Sequence, residues 1–227
     1  MFGQRVKNGA RAGIGEAPPA GACVLPGPRG SNGKVYSRHS NGLDEFSAFV
    51  QAEPGLSILD LAGASQANIN FITGLGHRIY SEDLLAILET DFGGGDFYAN
   101  QTVPERIDLF LQHSLNFPDH SFDGALLWDM LEYLAPPLLK AAVDRLSQAM
   151  KPRSQLLAIF HADERSETVP VYSYRIAGPG TLLLALRAVR KPAQLFNNRG
   201  IEKLFHEFNS VKFFLTRDHL REVIVRR

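Results

Sequence analysis

Short apolar runs that alternate with amphipathic stretches are the strongest constraint on how this chain folds. The three clearest runs are Leu56–Leu61, Phe122–Asp129 and Gln155–Phe160. They are apolar on both faces, which is typical of strands buried inside a parallel sheet. Because the segments between them carry helical patterns, the sequence predicts an α/β fold. We expect three layers around a doubly wound, mostly parallel sheet.

Capping residues and helical spacing of apolar side chains predict the elements between these runs. Ile107, Leu109 and Leu111 alternate as in a strand, but Thr102-Val-Pro-Glu105 is a capping box with proline in the first turn, which favours a helix. A loop is predicted at 91–97. The predicted helices cover 41–53, 68–75, 84–88, 102–113, 136–150 and 201–208, and two further strands cover 77–81 and 114–117.

Two strand pairs are expected in the last third of the chain. Two β-rich stretches flank Gly178-Pro179-Gly180, which predicts an inserted β-hairpin over 168–190. Val211–Leu215 and Leu220–Val225 are separated by a tight turn and predict a closing antiparallel pair.

Charge and glycine content divide the chain into two parts. The 227 residues carry 24 basic and 24 acidic side chains, yet residues 1–40 hold six basic side chains and one acid. Gly and Pro are frequent there and apolar side chains are few, so residues 1–39 are expected to be a disordered basic tail before a domain over 40–227. The tail is interpreted as a linker or, less readily, as an electrostatic arm for RNA or an acidic partner.

Composition also narrows the class of protein. The only cysteine, Cys23, excludes an internal disulfide framework and a Cys-rich zinc site, and the histidines do not cluster, so no metal is expected. No apolar run reaches the length of a membrane span and no secretory signal is present, so we expect a cytoplasmic protein without a membrane partner. The zero net charge makes nucleic acid an unlikely partner.

Three motifs resemble the class I S-adenosylmethionine-dependent methyltransferases over about 55–226. They are Ile58-Leu-Asp-Leu-Ala-Gly63, Phe117-Pro-Asp-His-Ser-Phe-Asp-Gly-Ala-Leu-Leu127, and Asp129-Met-Leu-Glu-Tyr-Leu-Ala-Pro136. The second motif is similar to a stretch of small-molecule methyltransferases. The resemblance implies a Rossmann-like sheet that ends in an antiparallel strand, S-adenosylmethionine as the cofactor, and a small-molecule methyl acceptor.

The resemblance also implies a cofactor site. Asp60 and the small-residue turn after it would contact the methionine portion, and an acid at the end of the second strand would bind the ribose; Glu82 is the first candidate and Asp83 the reserve. The complete cofactor set is Asp60, Ala62, Gly63, Ala64, Ser65, Glu82, Asp83, Ser114, Leu115 and Trp128.

Candidate acceptor residues follow the fourth and fifth strands, where open α/β sheets place their ligands. Asp129 and His161 are the catalytic candidates, with His161 as a possible general base. Glu132 follows the fourth strand, and Tyr172 and Tyr174 lie on the inserted hairpin. These three are expected to bind the acceptor.

Departures from the family motif leave two alternatives open. Ala62, Ala64 and Gln66 stand where the family has three glycines, and no acid stands where the adenine amino group would be recognised. A methyltransferase-like binding or scaffold protein without turnover is therefore the second hypothesis. An RNA-associated module that uses the basic tail is a weaker third.

Overall fold

The computed structural model describes residues 23–25, 35–214, 216 and 219–227. Its helices are α1 (Asn41–Ala52), α2 (Gln66–Gly74), α3 (Leu84–Phe92), α4 (Phe97–Asn100), α5 (Pro104–Ser114), α6 (Pro136–Ala149) and α7 (Asn198–Leu204), with a 3-10 turn at Met130–Tyr133. Its strands are β1 (Cys23–Leu25), β2 (Val35–His39), β3 (Ser57–Asp60), β4 (Arg78–Ser81), β5 (Phe122–Trp128), β6 (Met150–His161), β7 (Val169–Gly178), β8 (Thr181–Arg190), β9 (Ser210–Phe214) and β10 (Leu220–Arg226).

A six-stranded sheet in the order β4-β3-β5-β6-β10-β9 forms the centre of the fold. Strands β4, β3, β5 and β6 are parallel to one another, and β10 is antiparallel to both β6 and β9. This doubly wound, mostly parallel sheet has one antiparallel strand near its edge. The predicted fold class is confirmed.

Apolar side chains fill both faces of the central sheet. One core contains buried residues of α3, α5 and α6 packed on β5 and β6, including Leu88, Phe110 and Leu146. The other contains α1 and α2 together with the inserted hairpin, including Phe46 and Ile72. The three predicted layers are therefore present.

The inserted hairpin belongs to a second sheet that lies beside α1 and α2. Its order is β1-β2-β8-β7, and all of its neighbours are antiparallel. Strands β1 and β2 both fall within residues 1–39, so the prediction that this segment is disordered is wrong at these two strands; residues 1–22 and 26–34 lie outside the described part of the chain. A buried ion pair fixes β2 to the central sheet, because Arg38 Nη2 lies 2.5 Å from Glu222 Oε1 on β10.

Two local predictions were wrong. No strand forms at 114–117, because α5 continues to Ser114 and buries Ile107, Phe110 and Ser114 on one helical face. The predicted loop at 91–97 is shorter than expected, since α3 ends at Phe92 and α4 begins at Phe97. Helix α7 begins at Asn198 because Asn197 Oδ1 accepts a hydrogen bond from the Gly200 N–H, and it ends at Leu204.

Candidate functional site

A cavity of about 440 Å³ opens at the carboxyl ends of β3 and β4. One wall is the turn that follows β3, and the opposite wall comes from the hairpin β7–β8. A cavity of this size is in the range of small-molecule sites, and its position is where open α/β sheets bind ligands. It is lined by Ala62, Gly63, Ala64, Ser65, Gln66, Ala67, Asp83, Ser173, Tyr174, Arg175 and Arg187.

The turn after β3 lies directly against the turn after β4. Gly63 has φ +84°, and a Cβ placed on it would lie 3.1 Å from the side chain of Asp83. Its N–H donates to the carbonyl of Glu82 at 3.0 Å. Ala62 and Ala64 do not adopt a positive φ, so alanine is tolerated at these positions and glycine is required only at Gly63.

The two acids at the end of β4 have different surroundings. Asp83 lines the cavity, accepts a hydrogen bond from the Ala86 N–H at 3.1 Å as the N-cap of α3, and lies 3.7 Å from Arg187. Glu82 is not among the lining residues, and its partial burial raises the pKa of its carboxyl. The reserve candidate for the ribose acid is therefore the one that faces the cavity.

Positive charge surrounds the rest of the cavity. Arg175 and Arg187 extend from β7 and β8, and Asp83 is the only acid among the lining residues. Arg175 has no hydrogen-bond or ion-pair partner in the described part of the chain. The cavity therefore presents a free guanidinium to a ligand that carries a carboxylate or another anionic group.

Asp60 is buried beneath the cavity and does not line it. Its Oδ1 accepts hydrogen bonds from Trp128 Nε1 at 2.7 Å and from the Ala62 N–H at 3.1 Å, and its Oδ2 accepts from Asn68 Nδ2 at 2.7 Å. Burial raises the pKa of this carboxyl even though these three donors act in the opposite direction. In this arrangement Asp60 organises the turn and its neighbours from inside the protein.

Asn68, which was not among the predicted site residues, joins the central fold to the hairpin. Its Oδ1 accepts from the Ile176 N–H at 2.8 Å, and its Nδ2 donates to the Tyr174 carbonyl at 3.3 Å as well as to Asp60. The amide thus pairs with the free edge of β7 much as a neighbouring strand would. No sequence signal pointed to it, because the two segments are more than 100 residues apart.

Trp128 and Tyr174 form a stacked pair next to Asn68. Their ring centroids are 4.9 Å apart and the planes differ by 10°. Trp128 has φ +52°, an uncommon backbone conformation for an aromatic residue, where β5 turns into the 3-10 helix. Tyr174 lines the cavity, whereas Trp128 lies behind it.

A buried polar cluster adjoins this pair: Asp129, Glu132, Tyr133, His161 and Tyr174, each at most 4% exposed. His161 Nδ1 lies 2.5 Å from Glu132 Oε2, and Glu132 Oε1 accepts from the His161 N–H at 2.9 Å. Glu132 therefore fixes the imidazole ring and favours the proton on Nδ1.

Burial shifts the titration of the cluster. It raises the pKa of Asp129 to about 7, although the positive charge of His161 acts in the opposite direction. Burial alone lowers the pKa of His161, but the hydrogen bond and the charge of Glu132, together with the charge of Asp129, raise it overall. The cluster thus places a carboxyl whose pKa is about 7 beside an imidazole whose pKa is raised, and groups of these two kinds serve in general acid–base catalysis.

The remaining predicted site residues are not brought to the cavity. Ser114 and Leu115 are buried at the end of α5, where Ser114 Oγ donates to the Phe110 carbonyl at 2.7 Å. Tyr172 is half-buried on β7, with its ring centroid 6.3 Å from that of Tyr174, and does not line the cavity. Tyr133, which was not among the predicted site residues, lies in the buried polar cluster.

The described residues contain neither a metal-ion cluster nor a membrane-spanning helix. No three His, Cys, Asp or Glu side chains within them come together in a way that could hold a metal ion. Within the same ranges, no helix combines the length and the apolar character needed to cross a bilayer.

Comparisons with known proteins found similar solved structures at low sequence identity. A 1,6-didemethyltoxoflavin-N1-methyltransferase from Burkholderia thailandensis, solved with 1,6-didemethyltoxoflavin and S-adenosylhomocysteine, is 14% identical; the match covers 83% of this chain and 79% of that one, with a TM-score of 0.46. An S-adenosylmethionine-dependent methyltransferase from Methanosarcina mazei is 15% identical over 77% of this chain and 93% of that one, with a TM-score of 0.45.

A third solved structure is the glycopeptide N-methyltransferase MtfA in complex with S-adenosylhomocysteine. It is 13% identical over 81% of this chain and 87% of that one, with a TM-score of 0.45. No protein-family model matches the chain. No curated protein matches it either.

Proposed function

We propose that this chain is an S-adenosylmethionine-dependent methyltransferase that acts on a small-molecule acceptor, with the cofactor in the cavity between the turn 62–67 and Asp83. The observation that carries the proposal is the cavity itself. It lies at the carboxyl ends of the first two strands of a methyltransferase-like sheet and has a carboxylate on one side. The cofactor supplies a methyl group bonded to a positively charged sulfur.

The lining residues match the chemical groups of the cofactor. Asp83 can accept hydrogen bonds from the ribose hydroxyls, a role predicted first for Glu82. Arg175 and Arg187 can bind the amino-acid carboxylate. Gly63 keeps the turn free of a side chain where it meets Asp83. Asp60 acts as a positioning residue through the Ala62 N–H.

The buried polar cluster supplies the acceptor side of the proposal. His161, oriented by Glu132, can take the proton of the acceptor, and Asp129 can share it. Tyr174 lies between the cavity and the cluster, since it lines the first and belongs to the second. Tyr172, beside it on β7, remains a proposed acceptor contact.

Isothermal titration calorimetry with S-adenosylmethionine and S-adenosylhomocysteine tests the proposal. We expect one-to-one binding. Asp83→Asn should weaken it about tenfold or more, because a hydrogen bond to a charged group contributes about 1.5–3 kcal/mol. Asparagine caps helices as well as aspartate does, so α3 should be preserved. Glu82→Gln is the matched control and should change the Kd less than twofold.

Two results would reject the proposal or its assignment. A folded protein that binds neither compound below millimolar concentration rejects the cofactor. If Glu82→Gln weakens binding as much as Asp83→Asn, the ribose assignment to Asp83 is wrong.

A methyltransferase-like binding or scaffold protein is the second candidate. It is favoured by the fact that Trp128, Asn68 and the Ala62 N–H all bond to Asp60, which leaves the acid no exposed surface. Mass spectrometry of the purified protein for carried-over cofactor, followed by the double variant Ala62→Gly/Ala64→Gly, separates the two candidates. Cofactor retention and methyl transfer by the native chain reject the second one.

A further inference from the structure

A second cavity, of about 290 Å³, lies beneath helix α1 at the other edge of the central sheet. One wall is a face of α1, and the other is formed by the first residues of β6 and the end of β10. Because β6 begins here, this edge is opposite to the carboxyl ends of β3 and β4, where the proposed cofactor cavity opens. No residue lines both cavities.

The strand register places Gln155 and Arg226 side by side on the wall of this second cavity. They are paired directly between β6 and β10, so their side chains leave the sheet on the same face. The next pair on that face, Leu157 and Ile224, belongs to the apolar core that contains α1. Two polar side chains therefore continue an apolar row beneath the helix.

Gln155 carries a polar atom that the protein leaves unsatisfied. The residue is 3% exposed, lines the cavity, and its Oε1 has no hydrogen-bond partner. A buried amide oxygen without a donor destabilises a fold, and an apolar side chain here would continue the row without that cost. The position indicates that a ligand in the cavity supplies the missing donor.

Arg153 brings an unpaired cation to the same wall. Its guanidinium has no hydrogen-bond or ion-pair partner within the described ranges of the chain. The residue has φ +66°, which is uncommon for a residue other than glycine. Strand β6 bulges at this point, since its pairing with β5 jumps from Met150 to Gln155. The bulge leaves Arg153 outside the regular ladder and at the cavity.

The other charges at the cavity neutralise one another. Glu45 uses both carboxylate oxygens, since Oε1 accepts from Arg226 Nη2 at 2.6 Å and Oε2 accepts from Lys212 Nζ. Among the lining residues two arginines face this single acid, which leaves one positive charge. A monoanion completes that balance, and a guanidinium binds a carboxylate through two parallel hydrogen bonds.

Helix α1 gives the cavity an apolar wall. Ala48 and Phe49 lie three and four residues after Glu45, so the three side chains share one helical face. Phe49 is half-buried, with its ring centroid 6.2 Å from that of Phe46. An aromatic side chain favours packing against another ring. The volume is at the lower end of the range for small-molecule sites and suits one ring with its substituents.

We propose that this cavity binds a small aromatic carboxylate that also carries a hydroxyl or amino donor. The carboxylate pairs with Arg153, the ring packs against Phe49, and the donor satisfies Gln155 Oε1. The site lies outside the proposed cofactor cavity. Its existence does not depend on the methyltransferase function.

Titration calorimetry of the full chain tests the ligand class. The probes are 3- and 4-hydroxybenzoate, with benzoate to remove the donor and the corresponding hydroxybenzamide to remove the charge. We expect one-to-one binding of a hydroxybenzoate with a Kd below millimolar. Benzoate should bind about fivefold more weakly and the hydroxybenzamide about tenfold or more, because a hydrogen bond to a charged group contributes more than a neutral one.

Two variants test the residues. Arg153→Gln removes the charge and should weaken hydroxybenzoate binding about tenfold or more. The matched control Arg199→Gln, at an exposed arginine of α7, should leave it unchanged. Gln155→Met replaces the buried amide with an apolar chain of similar shape, so the melting temperature of the free protein should stay the same or rise. The same variant should reduce the preference for hydroxybenzoate over benzoate to less than about twofold.

Three results would overturn the inference. The first is a folded protein that binds neither hydroxybenzoate below millimolar concentration, which is expected if water alone fills the cavity. The second is a hydroxybenzamide that binds as tightly as its carboxylate. The third is a Gln155→Met variant that keeps the full preference for the hydroxyl group.

A competition experiment separates this inference from the proposed function. Saturating S-adenosylhomocysteine should leave the Kd of the hydroxybenzoate unchanged, because the two cavities share no residue. Displacement would place the carboxylate in the cofactor cavity and reject the second site. If the hydroxybenzoate binds through Arg153 and S-adenosylhomocysteine does not bind at all, the second site stands and the methyltransferase proposal fails.

Discussion

Replacing Asn68 with alanine should release the hairpin β7–β8 from the central fold. The native amide accepts from the Ile176 N–H at 2.8 Å and donates to Asp60 Oδ2 at 2.7 Å. Both partners are buried, at 3% and 0% exposure, so the variant leaves a buried N–H and a buried carboxylate oxygen unsatisfied. At about 1–3 kcal/mol for each of the two groups, the expected loss in the free energy of unfolding is about 2–6 kcal/mol.

The helix provides its own control for this substitution. Asn70 lies on the same helix, is exposed, and accepts a hydrogen bond from the side chain of Gln66. Asn70→Ala removes the same atoms from a solvated position and should cost less than about 0.5 kcal/mol. Helix propensity cancels in the comparison, because both positions gain the same residue.

Urea denaturation gives the two free energies, and hydrogen exchange locates the effect. In Asn68→Ala the amide hydrogen of Ile176 should exchange at least tenfold faster than in the native chain. The exchange rates of amides in β5 and β6 should change only as much as the loss in global stability requires. The reasoning is refuted if the two alanine variants lose equal stability, or if the protection of Ile176 is unchanged.

Two further predictions concern buried charges. Glu222→Gln removes the carboxylate that faces the buried guanidinium of Arg38 and should lower the free energy of unfolding, measured by urea denaturation, by about 3–5 kcal/mol. The control Glu45→Gln, at a partly exposed ion pair, should lower it by at most about 1 kcal/mol. Similar losses in the two variants would contradict the argument. Burial raises the pKa of Asp129 from 3.8 to about 7, so the folded protein binds the proton of this carboxyl more tightly than the unfolded chain does. The contribution of the protonated carboxyl to the free energy of unfolding is therefore lost as the pH rises from about 4 to 7. Asp129→Asn should therefore lose less stability than the native chain between pH 5 and 8, and an equal loss would show that Asp129 is not protonated in the fold.

The central strands could be predicted because their signals are local. Leu56–Leu61, Phe122–Asp129 and Gln155–Phe160 are continuous apolar runs, and each contains or overlaps a strand of the central sheet. Turn residues fixed the hairpin β7–β8 in the same way. The prediction of a strand at 114–117 was wrong. A helix that buries Ile107 and Phe110 is stabilised more by continuing to Ser114 than four residues are stabilised by pairing at a sheet edge.

The candidate site could be predicted only in part. Parallel strands end at the same edge of a sheet, so Asp129, Glu132 and His161 could be grouped from their positions after β5 and β6. The roles of Asp60 and Asn68 could not be predicted, because they depend on where β7 lies, and no local pattern states where an inserted hairpin packs. Tyr133 was not predicted for a related reason: an aromatic residue within an apolar run is usually a core residue, and no sequence pattern marks the exceptions.

A crystal structure of the protein grown with saturating S-adenosylhomocysteine tests the central claim most directly. The account predicts electron density between the turn 62–67 and β7, with the ribose hydroxyls within hydrogen-bond distance of Asp83 and the carboxylate near Arg175 or Arg187. Density for the compound at any other place, or a cavity that stays free of it at saturating concentration, would contradict the account.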